Sequence, residues 1–325
     1  MMMALNDLRQ VGTSGVAVPR IGYGATALAD MPDTYGYSVG EDRALATIRA
    51  ILDEPHGFID TSRNYGLGRS EDLIGKVVRE RGGWPEGRIL STKLDRDMNT
   101  LRFDAAQARR SLEESLSALG VDRVDILHLH DPEYASDLAD VTGRGGALDA
   151  LMRMKEEGLA RAVGLAAGRV DIMMPLLRDW DFDALITHNR FTLVNRNAEP
   201  MLDLAAARGI AVFNAAPYAS GALAKGAASQ QRYVYQVATE AVLKPIRRVE
   251  EVCARHGIPL GAAALQFSLR DPRIASTICG VSRPERIHET LEWANWPISA
   301  QAWQELLALP ATADDPESTR EYSPG

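Results

Sequence analysis

The sequence predicts an α/β fold: an eight-stranded (β/α)8 barrel with an N-terminal β-hairpin closing its bottom. Three observations lead there. First, eight short aliphatic runs alternate with amphipathic, charge-dotted stretches along nearly the whole chain. Strand, helix and next strand of one sheet join by a right-handed crossover, which makes that sheet parallel. Second, the 325 residues accommodate eight such units, and eight units in about 250–300 residues fit a closed barrel. Third, the first strand-to-helix turn reads GYGATALAD. It lacks the G-x-G-x-x-G phosphate fingerprint that a doubly wound sheet would carry there, so that alternative is the weaker one.

In chain order, LRQVGTSGVAVPRI reads as the hairpin, with TSG at its turn. The strands are RIGYG, GFID, RILSTK, VDILHLH, ARAVGL, FDALIT, IAVFNA and IASTICG. Between them, EDRALATIRAILD, SEDLIGKVVRERG, DAAQARRSLEESLSAL, GALDALMRMKEEG, VDIMMPLLRDW and AEPMLDLAAARG read as helices. One long helical stretch near Pro245–Arg255 runs on past GIPLGAAALQFSLRD. Helical spacing is clearest at Leu112, Leu116 and Leu119, which share one face, with Gly120 as the stop. Two strand-to-helix loops are long, DPEYASDLADVTGRGG and the stretch from Tyr218 to about Glu240; in a barrel such loops rim the active site. No domain boundary interrupts residues 1–325, and the tail from about 311 to 325 is polar enough to be flexible.

Composition narrows the function. With 46% hydrophobic residues the chain is an ordinary globular one. A net charge of −8 and a pI near 5.4 argue against nucleic acid or an anionic membrane as partner. Cys253 and Cys279 lack metal-ligand spacing and read as reduced core thiols. The segment MMMALNDLRQ has no apolar run of a secretory signal, and no stretch approaches a membrane span. A cytoplasmic protein acting on a small molecule is expected.

The unusual polar residues stand at strand ends. Asp60 ends strand two, Lys93 strand three and His130 strand four, and Tyr65 follows Asp60 by five residues. In a parallel barrel these ends share one face, so the four groups converge at one mouth. A free phenol, with a pKa near ~10, is a poor catalyst at neutral pH. An ammonium beside it favours the phenolate, a carboxylate keeps the ammonium charged, and a histidine orients an oxygen and helps relay its proton. Together they suit moving a proton onto or off a carbonyl or alcohol oxygen. That chemistry accompanies hydride transfer, which needs a nicotinamide cofactor.

GFIDTSRNYGLGRSEDLIGKVV, STK, RRSLEESLSALGVDRVDILHLHDPE and TICGVSRPERIHETLE resemble the aldo-keto reductases, over about Arg20 to Trp293. The block FD…RRSLEESLSALGVDRVDILHLHDP with NAAP and RFTL is most similar to the branch of D-threo-aldose (L-fucose) dehydrogenases. The resemblance implies a metal-free barrel that binds NAD or NADP without a Rossmann domain, with Asp60, Tyr65, Lys93 and His130 as its catalytic tetrad. It also implies cofactor contacts at Gly24, Ala25 and Thr26, along Ala215, Ala216, Pro217, Tyr218 and Ala219, and at Val281, Ser282, Arg283, Arg286, Glu289 and Thr290. A turn into a helix suits the cofactor's phosphates there, because helix N-termini present free N–H groups; simple capping by Ser282 and Pro284 is the bland alternative.

Three positions depart from the family pattern. Ala166 and Ala167 stand where many members place Ser-Asn to hold the carboxamide, leaving His188 or Asn189 to supply that contact. Ala215 replaces a stacking tyrosine, and Gly280 replaces a lysine that often grips the 2′-phosphate. Only Arg283 and Arg286 remain for such a phosphate, so NAD is favoured over NADP. The substrate read from the branch is an aldose, oxidised at C1 to a lactone, with a general aldehyde or ketone reductase as the alternative. The segment LDRDMNTLRFDAAQ is short beside the sugar-dehydrogenase branch, which weighs against the sugar. Tyr233 and Tyr235 either fold over the pocket or decorate the surface. Two rivals of other classes stand beside these readings. A metal-dependent barrel hydrolase would use His128, His130 and Asp125, but needs further ligands at later strand ends, where His188 alone is well placed. A non-catalytic cofactor-binding protein would have no use for an intact tetrad.

Overall fold

The computed structural model describes residues 7–229, 232–234 and 236–318. Among the described residues twelve strands form, in chain order: β1 (Arg9–Gln10), β2 (Ala17–Val18), β3 (Ile21–Gly24), β4 (Phe58–Asp60), β5 (Ile89–Leu94), β6 (Val124–His130), β7 (Ala160–Ala166), β8 (Ala184–His188), β9 (Ala211–Ala215), β10 (Arg232–Tyr233), β11 (Gln236–Val237) and β12 (Ile274–Gly280). Eight of them close a parallel barrel in the order β12-β3-β4-β5-β6-β7-β8-β9. All eight barrel strands read from the sequence are present, each within a few residues of the expected place.

The strands are nearly continuous apolar runs because both faces are buried. Outward side chains such as Leu90, Leu127, Leu129, Val163 and Leu185 pack under the helices. Helix Ala105–Leu119 illustrates the outer layer. Asp104 caps it by accepting the Gln107 N–H, Leu112 and Leu119 are fully buried, Leu116 is partly buried, and Gly120 ends it at φ 71°. Helix Arg69–Glu80 packs so closely on it that a Cβ at Gly75 would lie 1.9 Å from the Ala118 carbonyl oxygen.

The barrel bottom is filled from below. β1 and β2 form the antiparallel hairpin, and Val11, Val16 and Val18 are fully buried against Phe58, Ile126, Ala184 and Phe213. Three such valines are worth roughly 1.5 kcal/mol or more apiece. The hairpin therefore plugs the lower mouth and leaves the C-terminal ends of the strands open.

Three features differ from the sequence reading. The long helical stretch is two helices, Glu240–Arg255 and Leu260–Arg270, because Gly257 turns at φ 62° and Pro259 cannot continue a helix. The two long loops carry structure of their own: helix Leu138–Thr142 in the first, helix Ala222–Lys225 and the β10–β11 hairpin in the second. The tail, read as flexible, is held as far as Ser318: Arg190 Nη2 donates to Asp315 (2.7 Å), its Nη1 to Glu317 (2.9 Å), and Thr312 pairs with Asn195. Tyr233 is buried, whereas Tyr235 lies outside the described residues. No helix among the described residues is long and apolar enough to cross a membrane.

Candidate active site

Barrel register brings the four sequence-predicted groups together. Asp60 lies opposite Ser91 and Lys93 opposite His128. Because β-strand side chains alternate, Asp60, Lys93 and His130 point inward at the open mouth. Lys93 Nζ donates to Asp60 Oδ2 (2.7 Å) and to the Thr61 carbonyl (2.6 Å), and Ser91 Oγ donates to Asp60 Oδ1 (2.8 Å). Lys93 is 1% exposed, so this pairing is what keeps an ammonium in the barrel interior. The turn after β4 returns Tyr65 over these groups: Lys93 Nζ is 4.8 Å from its ring centroid, and its ring meets His130 edge-on with centroids 5.9 Å apart.

His130 is held by a residue the sequence reading passed over. Its Nδ1 lies 2.6 Å from Asp95 Oδ1, and Asp95 Oδ2 accepts from Ser62 Oγ (2.7 Å) and the Asn64 N–H (3.0 Å). Burial alone would depress the imidazolium, but the carboxylates of Asp131 and Asp95 more than offset it and raise the His130 pKa above its ordinary value. Burial likewise works to raise the Asp95 pKa, and the opposing pull of His130, Ser62 and the Asn64 N–H lowers it. Nε2 is left to the mouth, 3.7 Å from Asp131 Oδ2.

One cavity of about 560 Å³ runs outward from this cluster. Asp60, Tyr65, Lys93 and His130 line its inner end. Gly24, Thr26, Ala166, His188, Ala215, Ala216, Tyr218, Gly280, Ser282, Arg283 and Arg286 line it as well. Ala25, Pro217, Ala219, Val281 and Thr290 are buried within the wall instead, and Glu289 accepts from Arg286 (2.7 Å) and Arg283 (3.3 Å). Asn189 is buried beside His188, its Nδ2 3.2 Å from His188 Nδ1, and His188 is the one of the two that faces the cavity. Sequence reasoning also passed over Asp131, Asn64, Tyr35, Tyr37, Arg43, Lys225 and Arg232, which line the wall. Asp131, Asn64 and Tyr37 come from loops that no periodicity places, and Tyr35, Lys225 and Arg232 from short elements that were not read from the sequence. Asp95 had a signal, since it follows Lys93 by two residues and so shares its face.

His128 lies in the barrel interior against Phe213, with ring centroids 6.0 Å apart. Burial, together with Lys93 and His130, lowers its pKa well below the ordinary value, so it is a neutral imidazole. Among the described residues no group of three or more His, Cys, Asp or Glu is arranged to hold a metal ion.

The sequence profile of the Aldo/keto reductase family matches residues 20–310. The chain is 31% identical to a D-threo-aldose 1-dehydrogenase of Pseudomonas sp, over 90% of this chain and 94% of that one. It is 27% identical to a pyridoxal 4-dehydrogenase of Microbacterium luteolum, over 94% of this chain and 98% of that one. An aldo-keto reductase of Bacillus halodurans, solved in its holo form, superposes with a TM-score of 0.76 at 21% identity, covering 99% and 100% of the two chains.

Proposed function

The chain belongs to the aldo/keto reductase family and is a nicotinamide-dependent oxidoreductase, and from that premise we propose that it oxidises the hemiacetal carbon of an aldose to a lactone. Tyr65 handles the proton. The observation that carries this reading is the convergence of Tyr65, Lys93, Asp60 and His130 at the inner end of one cavity.

A dinucleotide fits the remainder of that cavity. Gly280 adds no side chain to the wall, and a Cβ there would meet nothing within 4 Å. Arg283 and Arg286 line the cavity at the N-terminus of helix Glu285–Asn295 and would meet phosphate there. Glu289 already occupies both guanidinium groups, which supports NAD over a cofactor with a 2′-phosphate. His188 lines the cavity, and we assign it the carboxamide in the absence of the usual Ser-Asn pair.

When bound, a nicotinamide would supply the acceptor for the hydride of C1. The protein does the rest. The Lys93 ammonium beside the ring favours the Tyr65 phenolate, which takes the hydroxyl proton. Asp60 keeps Lys93 charged and fixed. His130, locked by Asp95 through Nδ1, offers Nε2 to the same oxygen. In reduction of a free aldehyde the tyrosine returns the proton, since acid and base are two forms of one phenol. The names of the two curated relatives support the hemiacetal, because pyridoxal, like an aldose, closes to a ring hemiacetal in water.

The test is a screen of aldoses and simple aldehydes in both directions with NAD and NADP. The expected outcome is NAD reduction with a galacto-configured sugar such as L-fucose, a rate that rises with pH as the phenol ionises, and a lactone preceding the acid by NMR. Ready reduction of simple aldehydes with no sugar oxidation replaces this reading with a general aldehyde reductase.

A further inference from the structure

Asp131, the first residue beyond β6, sits at φ 46°, a left-handed conformation that few residues other than glycine adopt. Its N–H donates to the Ala166 carbonyl (2.9 Å), which ties it to the neighbouring strand. That conformation turns its carboxylate into the cavity beside the reacting end, 3.7 Å from His130 Nε2. Two residues on, Glu133 accepts the N–H groups of Gly168 (2.9 Å) and Arg169 (3.0 Å), so the turn is anchored from below.

The charges around the cavity are unevenly distributed. At the inner end Lys93 is matched by Asp60 and His130 by Asp95. Asp131 then stands as an additional negative charge, and among the described residues His130 is its one ion-pair partner. At the outer end Arg43, Lys225, Arg232, Arg283 and Arg286 line the wall. The cationic end suits phosphates; the inner end does not.

We propose that Asp131 is a specificity-determining residue: its carboxylate accepts a hydroxyl of an uncharged polyhydroxy substrate and excludes aldehydes that carry a phosphate or carboxylate near the reacting carbon. The inference rests on the reading that carbonyl or hemiacetal chemistry occurs at Tyr65 and His130. A hydroxyl bonded to a charged acceptor contributes on the order of 10- to 100-fold in affinity. A second anion placed within a few ångströms in a low-dielectric pocket is repelled by at least as much.

The experiment compares wild type with Asp131→Asn, which keeps the shape and removes the charge, in reduction of glyceraldehyde, glyceraldehyde 3-phosphate and propanal. Wild type is expected to prefer glyceraldehyde to its phosphate. In the variant kcat/KM for glyceraldehyde falls about 10-fold, mostly through KM, and the preference over the phosphate narrows by 10-fold or more. Propanal, which offers Asp131 no hydroxyl, falls several-fold less. Equal loss on propanal and glyceraldehyde overturns the proposal, because Asp131 then acts through His130 and not on the substrate. An unchanged ratio of glyceraldehyde to its phosphate overturns it too, as does a wild-type preference for the phosphate; both leave the oxidoreductase reading intact. No turnover of any of the three by wild type overturns both.

Discussion

At the scale of single residues, the proposed site divides into groups that would touch the reacting oxygen and groups that hold them. Tyr65→Phe removes only the hydroxyl, so cofactor binding should survive while kcat falls by ~10²–10⁴, the usual worth of general acid–base catalysis. Lys93→Met should be about as damaging, since it also leaves Asp60 buried without its cation. Single-turnover kinetics with a cofactor titration separates the two effects, and a Tyr65→Phe enzyme with wild-type kcat rules out the phenol as the proton carrier. The convergence of these four residues was legible in the sequence because three stand at the end of a recognisable strand and Tyr65 follows one, and strand ends of a parallel barrel share a face. Asp95 was passed over although the same alternation puts it on the Lys93 face. Asp131 was not legible, because its direction depends on a left-handed backbone that no propensity for aspartate dictates.

At the scale of elements, strands and helices were readable because periodicity and caps are local, and loops were not because their partners are distant in sequence. The C-terminal segment shows why. Residues 311–318 are polar and aperiodic, yet they are held by Arg190, which is 1% exposed and lies more than 120 residues earlier. Glu317 also lies 3.6 Å from His188 Nδ1, so the segment reaches a residue of the cavity wall. Gln236 of β11 donates to the Pro316 carbonyl (3.2 Å), which ties the second long loop to the same segment. Arg190 without its carboxylates would be an uncompensated buried cation. The double variant Asp315→Asn, Glu317→Gln should therefore lose about 3–5 kcal/mol, the usual cost of breaking a buried ion pair from one side. Urea unfolding measures it, and a loss below about 1 kcal/mol would mean that water reaches Arg190 in place of the segment.

At the scale of the whole molecule, the stability of the fold carries a pH signature written by buried groups outside the chemistry. Glu71 is fully buried, with Thr92 Oγ donating to it at 2.6 Å. Burial pushes its pKa up to about 7, more than Thr92 and the nearby Arg63 lower it. An unfolded chain releases that proton near the ordinary glutamate value of about 4.3. Between those values the folded state holds more protons than the unfolded one, so stability falls as pH rises through the window and levels off above about 7. His128 works in the opposite sense. Its folded pKa is well below the ordinary value, so the unfolded chain takes up a proton first and stability falls as pH drops below about 6.5. The two partly cancel in the intact protein, and only a difference measurement separates them. Glu71→Gln keeps an acceptor for Thr92 and abolishes the titration, while His128 contributes equally to both proteins. At about 1.4 kcal/mol per pKa unit, the stability of the variant relative to wild type should improve by about 2–3 kcal/mol from pH 5 to pH 8. Denaturant unfolding of both proteins at the two pH values reads this directly. A difference that stays constant across the range would show that Glu71 is ionised in the folded protein, and that Arg63, 3.7 Å away, holds its charge in the wall between helix Arg69–Glu80 and β5.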